Sequence, residues 1–269
     1  MSKNTTTLNG NLLIAIILGL LISTATSFGQ FQDSLHKFSS LDIGFAHRMM
    51  KENLFRGLLH EGITIGFLYS NRSFDNEHIC DWNVGLTAGI LQWNGALTIT
   101  ADAVPFDIGY SFRYAPRLEK FKFYVGPYAR LQMTWNEMMQ LDAQHPYWFT
   151  QHQLGIRHWA SCLVGEEKTL TLKNDLSLFS LTSRPEEWRD YATYTFNFWE
   201  IIKYMNERLK FLTAFDALRF STRLEYQVGF GGAIPVVYFF EVTYRRCNSP
   251  APYQDLHETL GLIIPFYQQ

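Results

Sequence analysis

The sequence predicts an all-β fold, a transmembrane antiparallel β-barrel of about ten strands, and three observations lead to this prediction. Large apolar residues alternate with small or polar ones in ten separate segments, which is the two-residue period of a β-strand. The polar positions carry many charged side chains, whereas the apolar positions carry rings and branched chains. Longer and shorter connections alternate along the chain, with 72–80 as the exception, as they do in membrane barrels.

The stretch from Pro105 to Tyr114 shows the alternation most clearly. Its large apolar residues are Phe106, Ile108, Tyr110, Phe112 and Tyr114, and the positions between them hold Asp107, Gly109, Ser111 and Arg113. A soluble sandwich would bury the apolar face in a core, whereas a membrane barrel turns that face toward lipid and the polar face toward its lumen. This stretch alone leaves both arrangements open.

The same alternation recurs on both sides of this stretch. Each of the first five segments is about ten residues long, which is enough to cross a bilayer at a tilt. The sixth is the least regular, because Trp159 falls on the polar side and His158 on the apolar side. The ten predicted strands are 41–48, 63–70, 82–90, 105–114, 121–133, 153–163, 170–178, 218–228, 236–245 and 259–266.

Composition argues against a bundle of membrane helices. The chain has 269 residues, of which 16% are aromatic and 18% charged, with a formal net charge of -2; soluble domains carry about 25% charged residues. The mean hydropathy is only -0.10, and the longest apolar run after the N-terminus, Ala233 to Phe240, contains Pro235.

The near-zero charge gives no sign of a nucleic-acid partner. The three cysteines fit no metal spacing, so we expect no metal site.

Residues 1–29 are predicted to be a secretory signal peptide. Lys3 precedes an apolar core from Leu12 to Ile22, and the small-residue region that follows ends at Gly29, with Ser27 as the other candidate cleavage position. A membrane anchor is the alternative, but this core is shorter than a spanning helix. The remaining residues, 30–269, form the predicted barrel.

The connections predict which end of the barrel faces outward. With a periplasmic N-terminus, the outer connections are 51–61, 94–104, 136–150, 179–217 and 247–257. The fourth has a helical period through Phe198, Ile201, Ile202, Met205, Leu209 and Leu212, which predicts a short amphipathic helix on the membrane surface or over the barrel mouth. The alternative is an extra strand pair within 190–216, which would raise the count to twelve.

The predicted lumen is rich in charge. A barrel of this size is largely filled by side chains, and buried charges must pair. We therefore expect a network of ion pairs that plugs the lumen. The alternative is a narrow anion-preferring channel, since the bases outnumber the acids. The predicted lumen residues are Asp42, Arg48, Asp107, Arg113, Lys122, Arg130, Arg157, Lys173, Asp175, Arg219, Arg223, Glu225, Glu241 and Arg245.

The chain resembles the single-chain outer-membrane β-barrel proteins of Gram-negative bacteria, and those of Bacteroidota in particular. The leader ends Ser-Phe-Gly-Gln and the last strand ends Ile-Pro-Phe-Tyr. This resemblance implies a location in the outer membrane, but not an activity. We expect outer-membrane lipid as a partner, with lipopolysaccharide or a small extracellular ligand as further candidates, and no cofactor. Aromatic residues predicted for the two interface girdles are Trp82, Trp93, Tyr114, Trp135, Trp148 and Tyr244.

Two enzyme classes share this architecture. Asp255-Leu256-His257 resembles one of the two catalytic pairs of omptin proteases, but the Asp-x-Asp pair is missing, and the second outer connection offers only Asp102. We expect Asp255 and His257 to lie in a solvated loop. The run from Arg157 through His158 to Ser161 resembles the Arg-His-x-Ser run of outer-membrane phospholipase and lipid A deacylase. Ala160 takes the place of the nucleophile there, and Ser161 falls on the opposite face unless a bulge intervenes.

The sequence therefore predicts a non-enzymatic outer-membrane barrel with a structural role or a role in binding a ligand or partner. The alternatives are a narrow anion-preferring channel and a lipid hydrolase.

Overall fold

The computed structural model describes residues 36–53, 57–75, 77–114, 121–139, 147–164, 168–185, 198–230 and 233–267. The predicted signal peptide, 1–29, lies outside these ranges. The elements are β1 His36–Glu52, β2 Leu58–Phe74, β3 His78–Trp93, β4 Ala96–Arg113, β5 Phe121–Met138, β6 Tyr147–Leu163, β7 Lys168–Ser183, α1 Phe198–Met205, β8 Lys210–Thr213, β9 Ala217–Phe230, β10 Ala233–Cys247 and β11 Tyr253–Tyr267.

Ten of the strands close into an antiparallel barrel. Strands β1 to β7 pair in sequence order, β7 pairs with β9, and β9, β10 and β11 lead back to β1. The short β8 pairs only with Phe179–Thr182 near the end of β7. The ten-strand prediction is therefore confirmed, and within the described part of 190–216 a single short strand takes the place of the extra pair.

The barrel is apolar outside and polar inside. On the outer face Phe45, Ile63 and Leu260 are each more than 60% exposed, whereas the inward Asp42 and Arg48 are buried. No helix in the described ranges is long and apolar enough to span a bilayer. A closed barrel with this polarity is a transmembrane β-barrel of the outer-membrane type. We call the end at which β1 terminates the outer end.

The strands extend further at the outer end than the alternation predicts. The predicted connection 94–104 is wrong, because β3 and β4 meet at a two-residue turn, Asn94-Gly95, with φ of 45° and 85°. Positive φ at both central residues is the geometry that an Asn-Gly hairpin favours. The other outer connections are also shorter than predicted, because inward positions near this end hold Met50, Phe149 and Tyr253, which erase the alternation.

Helix α1 lies against the outside of the barrel wall. Met205 packs on Trp148 of β6, with Met133 and Trp135 of β5 beside them. Just beyond the helix, the side chain of Asn206 hydrogen-bonds His152 Nε2 at 2.7 Å. The structure thus places α1 beside β6 rather than over the mouth. The predicted helical period continues to Leu212, but the helix ends at Met205. The prediction that Trp148 faces lipid is wrong, because α1 covers it.

Candidate functional site

The outer half of the lumen is crossed by a group of four charged side chains that we call the Arg48 cluster, made of Arg48, Asp102, Arg245 and Asp255. Arg48 donates to both carboxylate oxygens of Asp255 at 3.0 Å and to Asp102 Oδ2 at 3.0 Å. Arg245 donates to Asp255 from the other side and to the hydroxyl of Thr134 at 3.0 Å. All four charged side chains are buried, so each charge depends on its partners.

The Arg157 cluster gathers three carboxylates around one guanidinium. Arg157 donates to both oxygens of Asp175, at 2.7 and 3.0 Å, to Asp81 at 2.5 Å and to Asp107 at 2.7 Å. Its guanidinium carbon lies 5.0 Å from the centre of the Tyr128 ring. Charge-assisted bonds of this kind are about twice as strong as neutral ones, so Arg157 ties together strands β3, β4, β6 and β7.

A third group, the Arg223 cluster, joins strands on both sides of the β1–β11 pairing that closes the barrel. Arg223 donates to Asp42 at 2.5 Å and lies 2.8 Å from Glu225. Arg72 donates to both oxygens of Glu225, at 2.6 and 2.8 Å. The guanidinium of Arg223 also stacks on the ring of Phe239 at 4.0 Å. The cluster links β1, β2, β9 and β10.

Apolar side chains close both ends of the lumen. At the inner end Trp159 packs with Ile79 and Tyr124, and the cations of Arg72 and Lys173 lie 5.2 and 4.9 Å from its ring centre. At the outer end a larger buried group fills the mouth, formed by Met50, Leu91, Tyr147, Phe149, Ala217, Cys247 and Tyr253. The lumen is therefore filled at the outer end, at the inner end and at the three clusters between them.

Arg184, just beyond β7, ties the outer connections to this mouth. It donates to both oxygens of Glu52 at 2.9 and 2.7 Å, to the hydroxyl of Tyr147 at 2.7 Å, and to the carbonyls of Ser249 and Ala251 at 3.1 and 2.8 Å. Burial opposes its charge, but the oxygens of Tyr147 and Glu52 outweigh burial, so the pKa of this guanidinium is raised above its ordinary value.

Most of the predicted lumen residues meet in these clusters. Outside them, Arg130 donates to Asp107 at 3.0 Å, Glu241 accepts a bond from Ser221 at 2.9 Å, and Lys173 donates to Asp81 at 3.3 Å. Lys122 is buried and Arg113 is half-buried at the end of β4. The predicted residues within the clusters are Asp42, Arg48, Asp107, Arg157, Asp175, Arg223, Glu225 and Arg245.

Several network residues were missed in the sequence. Asp81 and Arg72 continue the polar faces of predicted strands by one more step, so a longer reading of the alternation would have found them. Asp102 was assigned to a connection that is a strand in the structure. Glu52 was assigned to a connection but is the last residue of β1, whereas Arg184 lies beyond β7, where no alternation exists to place it. The missed acids outnumber the missed bases, so they reduce the excess of bases that favours an anion channel.

Asp102 is far from Asp255 and His257 in sequence, but the three residues converge in the lumen. The expectation of a solvated loop is wrong, because Asp255 is buried in β11 and His257 is half-buried beside it. His257 Nε2 lies 3.1 Å from Asp255 Oδ2. Arg48, Arg245 and the hydroxyl of Tyr253 bind the same carboxylate, so it is shared among four partners rather than reserved for the imidazole.

The structure does not bring His158 and Ser161 together. The pairing of β6 with β5 and β7 runs without a bulge from Gly155 to Leu163, so the two side chains lie on opposite faces. His158 Nε2 is 3.0 Å from the hydroxyl of Tyr114, and Ser161 is 3.2 Å from the hydroxyl of Thr171. His158 also stacks near Phe123, as an interfacial side chain would.

The described ranges hold no group of His, Cys, Asp or Glu side chains that could bind a metal ion. All three cysteines are unpaired thiols in the structure. Cys80 is exposed on the barrel exterior, whereas Cys162 and Cys247 are buried.

A glycine makes room for the Arg157 cluster, and this leads to a testable prediction. A Cβ at Gly109 would lie 2.7 Å from Arg157 Nη1 and 2.7 Å from Asp81 Oδ1. Because the surrounding bonds hold these atoms, we expect Gly109→Ala to lower the free energy of unfolding by about 1–3 kcal/mol. Urea unfolding of the refolded barrel in detergent, followed by tryptophan fluorescence, measures the free energy of unfolding of the variant and the wild type.

Gly66→Ala is the matched control for this substitution. Its Cβ would meet only the side chain of Thr87, at 3.0 Å, and Gly66 borders a cavity. A loss of stability in Gly66→Ala equal to that in Gly109→Ala would mean that any added methyl group is costly, and would contradict the role given to Gly109.

No protein-family model matches this chain, and no curated protein matches it. Among solved structures, the chain is similar to the outer membrane protease OmpT from Escherichia coli, with a TM-score of 0.44, 8% identity and coverage of 90% of this chain and 99% of that one. It is also similar to the translocator domain of the autotransporter NalP from Neisseria meningitidis (TM-score 0.39, 9% identity, 95% of each chain). A third is the COG4313 outer membrane channel from Pseudomonas putida F1 (TM-score 0.34, 9% identity, 90% and 100% covered). These similarities are low and carry no conclusion about function.

Proposed function

We propose that this chain is a closed, non-conducting barrel of the outer membrane that has no catalytic role and acts by binding a ligand or partner at its outer end. One observation carries the proposal: three clusters of buried ion pairs and two apolar caps occupy the lumen. A solute would have to break several charge-assisted bonds to pass, and each broken pair leaves a buried charge unpaired.

The outer end offers a surface for binding. The fourth connection forms α1 and β8 there, and three of its aromatic side chains are exposed: Trp199 at 73%, Phe211 at 64% and Phe215 at 85%. Exposed aromatic side chains are typical anchors of binding surfaces. Phe211 stacks on Phe179 of β7, with ring centres 5.7 Å apart, so part of this surface rests on the barrel itself.

Ion conductance in a planar bilayer tests the closed lumen. We expect the refolded, full-length mature protein to give no steady current above that of the bare bilayer, because the clusters and caps block the path. A porin inserted in the same bilayer is the control for insertion and detection. A steady current that prefers anions would instead support the narrow channel and would contradict the proposal.

A further inference from the structure

A cavity of about 130 Å³ interrupts the packed lumen. Side chains from all three clusters border it, so it lies between the Arg48 cluster on the outer side and the other two clusters on the inner side. Arg130 of β5 and Arg219 of β9 also border it, and neither belongs to a cluster. A water molecule occupies about 30 Å³ in the liquid, so the cavity has room for several small molecules or ions.

Arg219 has hydrogen-bonding capacity that the described residues leave unused. Its side chain is only 1% exposed, and its Nε and Nη1 atoms have no hydrogen-bond partner within the described ranges. The carboxylate of Asp175 lies 3.7 Å from Nη1, which is too far for a good hydrogen bond. Asp175 already accepts two bonds from Arg157. Arg219 is therefore a buried cation whose charge is only partly balanced.

The surroundings of Arg219 add positive charge. Arg219 lies directly opposite Arg245 in the pairing of β9 with β10, and like charges in that position repel. Arg130 borders the same cavity, and its Nε atom also lacks a partner among the described residues. Two arginine residues that border one cavity therefore each carry at least one unused N–H donor.

The acids that border the cavity are already engaged. Asp107 binds Arg130 and Arg157. Glu241 accepts bonds from Ser221 and Thr243 at 2.9 and 3.1 Å and lies 3.5 Å from Arg223. The unmet demand is thus for an acceptor with negative charge. Water can supply the acceptor, but only an anion supplies the charge as well.

We propose that this cavity holds a small monovalent inorganic anion of halide size, bound between the guanidinium groups of Arg219 and Arg130, with water filling the remaining space. The anion serves as a structural ligand. It completes the charge balance of the lumen and stabilises the closed barrel, because a ligand that binds only the folded state raises its stability.

Bromide is the probe, because it replaces chloride and scatters anomalously. Crystals of the refolded protein grown in bromide are expected to show an anomalous peak in the cavity, between Arg219 and Arg130. In solution, bromide is substituted for gluconate, which is too bulky for the cavity, at constant ionic strength. The midpoint of thermal unfolding is expected to rise with bromide concentration and then to level off.

Arg219→Gln removes the charge, and we expect it to abolish both the peak and the bromide dependence. Arg246→Gln, on the outer face of β10, is the matched control, and we expect it to keep both the anomalous peak and the bromide dependence of thermal unfolding. If Arg219→Gln fails to fold, the wild-type crystal and the bromide titration of wild-type unfolding still test whether the cavity binds an anion. A cavity that contains only water, together with unfolding that is independent of bromide, would overturn the proposal. A conducting barrel with a bound anion would contradict the closed lumen only, so the two proposals fail separately.

Discussion

Replacing Arg157 with Met is expected to destabilise the folded barrel more than any other single change in the lumen. Arg157 is fully buried and binds Asp81, Asp107 and Asp175, three carboxylates on three different strands. Without it, these negative charges remain close together and buried, with Lys173, Arg130 and Arg219 as their nearby cations. Removing one partner of a buried ion pair costs about 3–5 kcal/mol, and here one cation serves three partners.

Urea unfolding in detergent micelles, followed by tryptophan fluorescence, measures the loss, and heat-modifiable migration on a gel reports whether the barrel forms. Arg157→Lys keeps the charge but offers a single ammonium group in place of the planar guanidinium, so we expect an intermediate loss. Arg246→Met is the control, since Arg246 lies on the outer face and donates to a carbonyl. Wild-type stability of Arg157→Met would mean that the three acids are protonated or hydrated in the folded barrel.

Asp255→Asn is expected to have the second large effect. The carboxylate of Asp255 lies between Arg48 and Arg245, and the remaining acid of the cluster, Asp102, is 3.0 Å from the first and 3.5 Å from the second. The amide keeps the shape of the side chain but removes its charge, so two buried guanidinium groups must share one carboxylate. We expect a loss of about 3–5 kcal/mol in the free energy of unfolding.

A double substitution separates lost charge balance from lost packing. Adding Arg245→Met to Asp255→Asn restores one base to one acid, so the double variant should be less destabilised than the sum of the two single variants. Glu258→Gln is the matched control, because Glu258 is on the same strand but exposed. Simple additivity of the two substitutions would show that Asp255 and Arg245 do not act as a pair.

The sequence was most informative along the middle of each strand. The alternation from Pro105 to Tyr114 predicts correctly which side chains face lipid and which face the lumen. The prediction failed near the outer end, where Phe149 and Tyr253 point inward. With apolar residues on both faces, the period disappears, although the backbone pairing continues.

The partners within the lumen were beyond the reach of any local pattern. Arg48 and Asp255 are 207 residues apart in the chain, and Asp42 and Arg223 are 181 apart. Alternation tells which way a side chain points, but not at what height it meets the opposite wall. That height depends on the register of every strand pair between the two residues, because the stagger between neighbouring strands adds up around the barrel.

By itself, the sequence determined that the chain forms ten membrane-crossing strands with charged residues inside, because the side-chain period of a strand is a local property of two residues. Only the tertiary structure decided that α1 covers Trp148 outside the wall, that Asp255 joins the lumen, and that Arg219, with unused donors, borders a cavity. The first results from packing of the fourth connection on the wall, and the other two result from closure of the sheet, which sets residues from distant strands opposite one another.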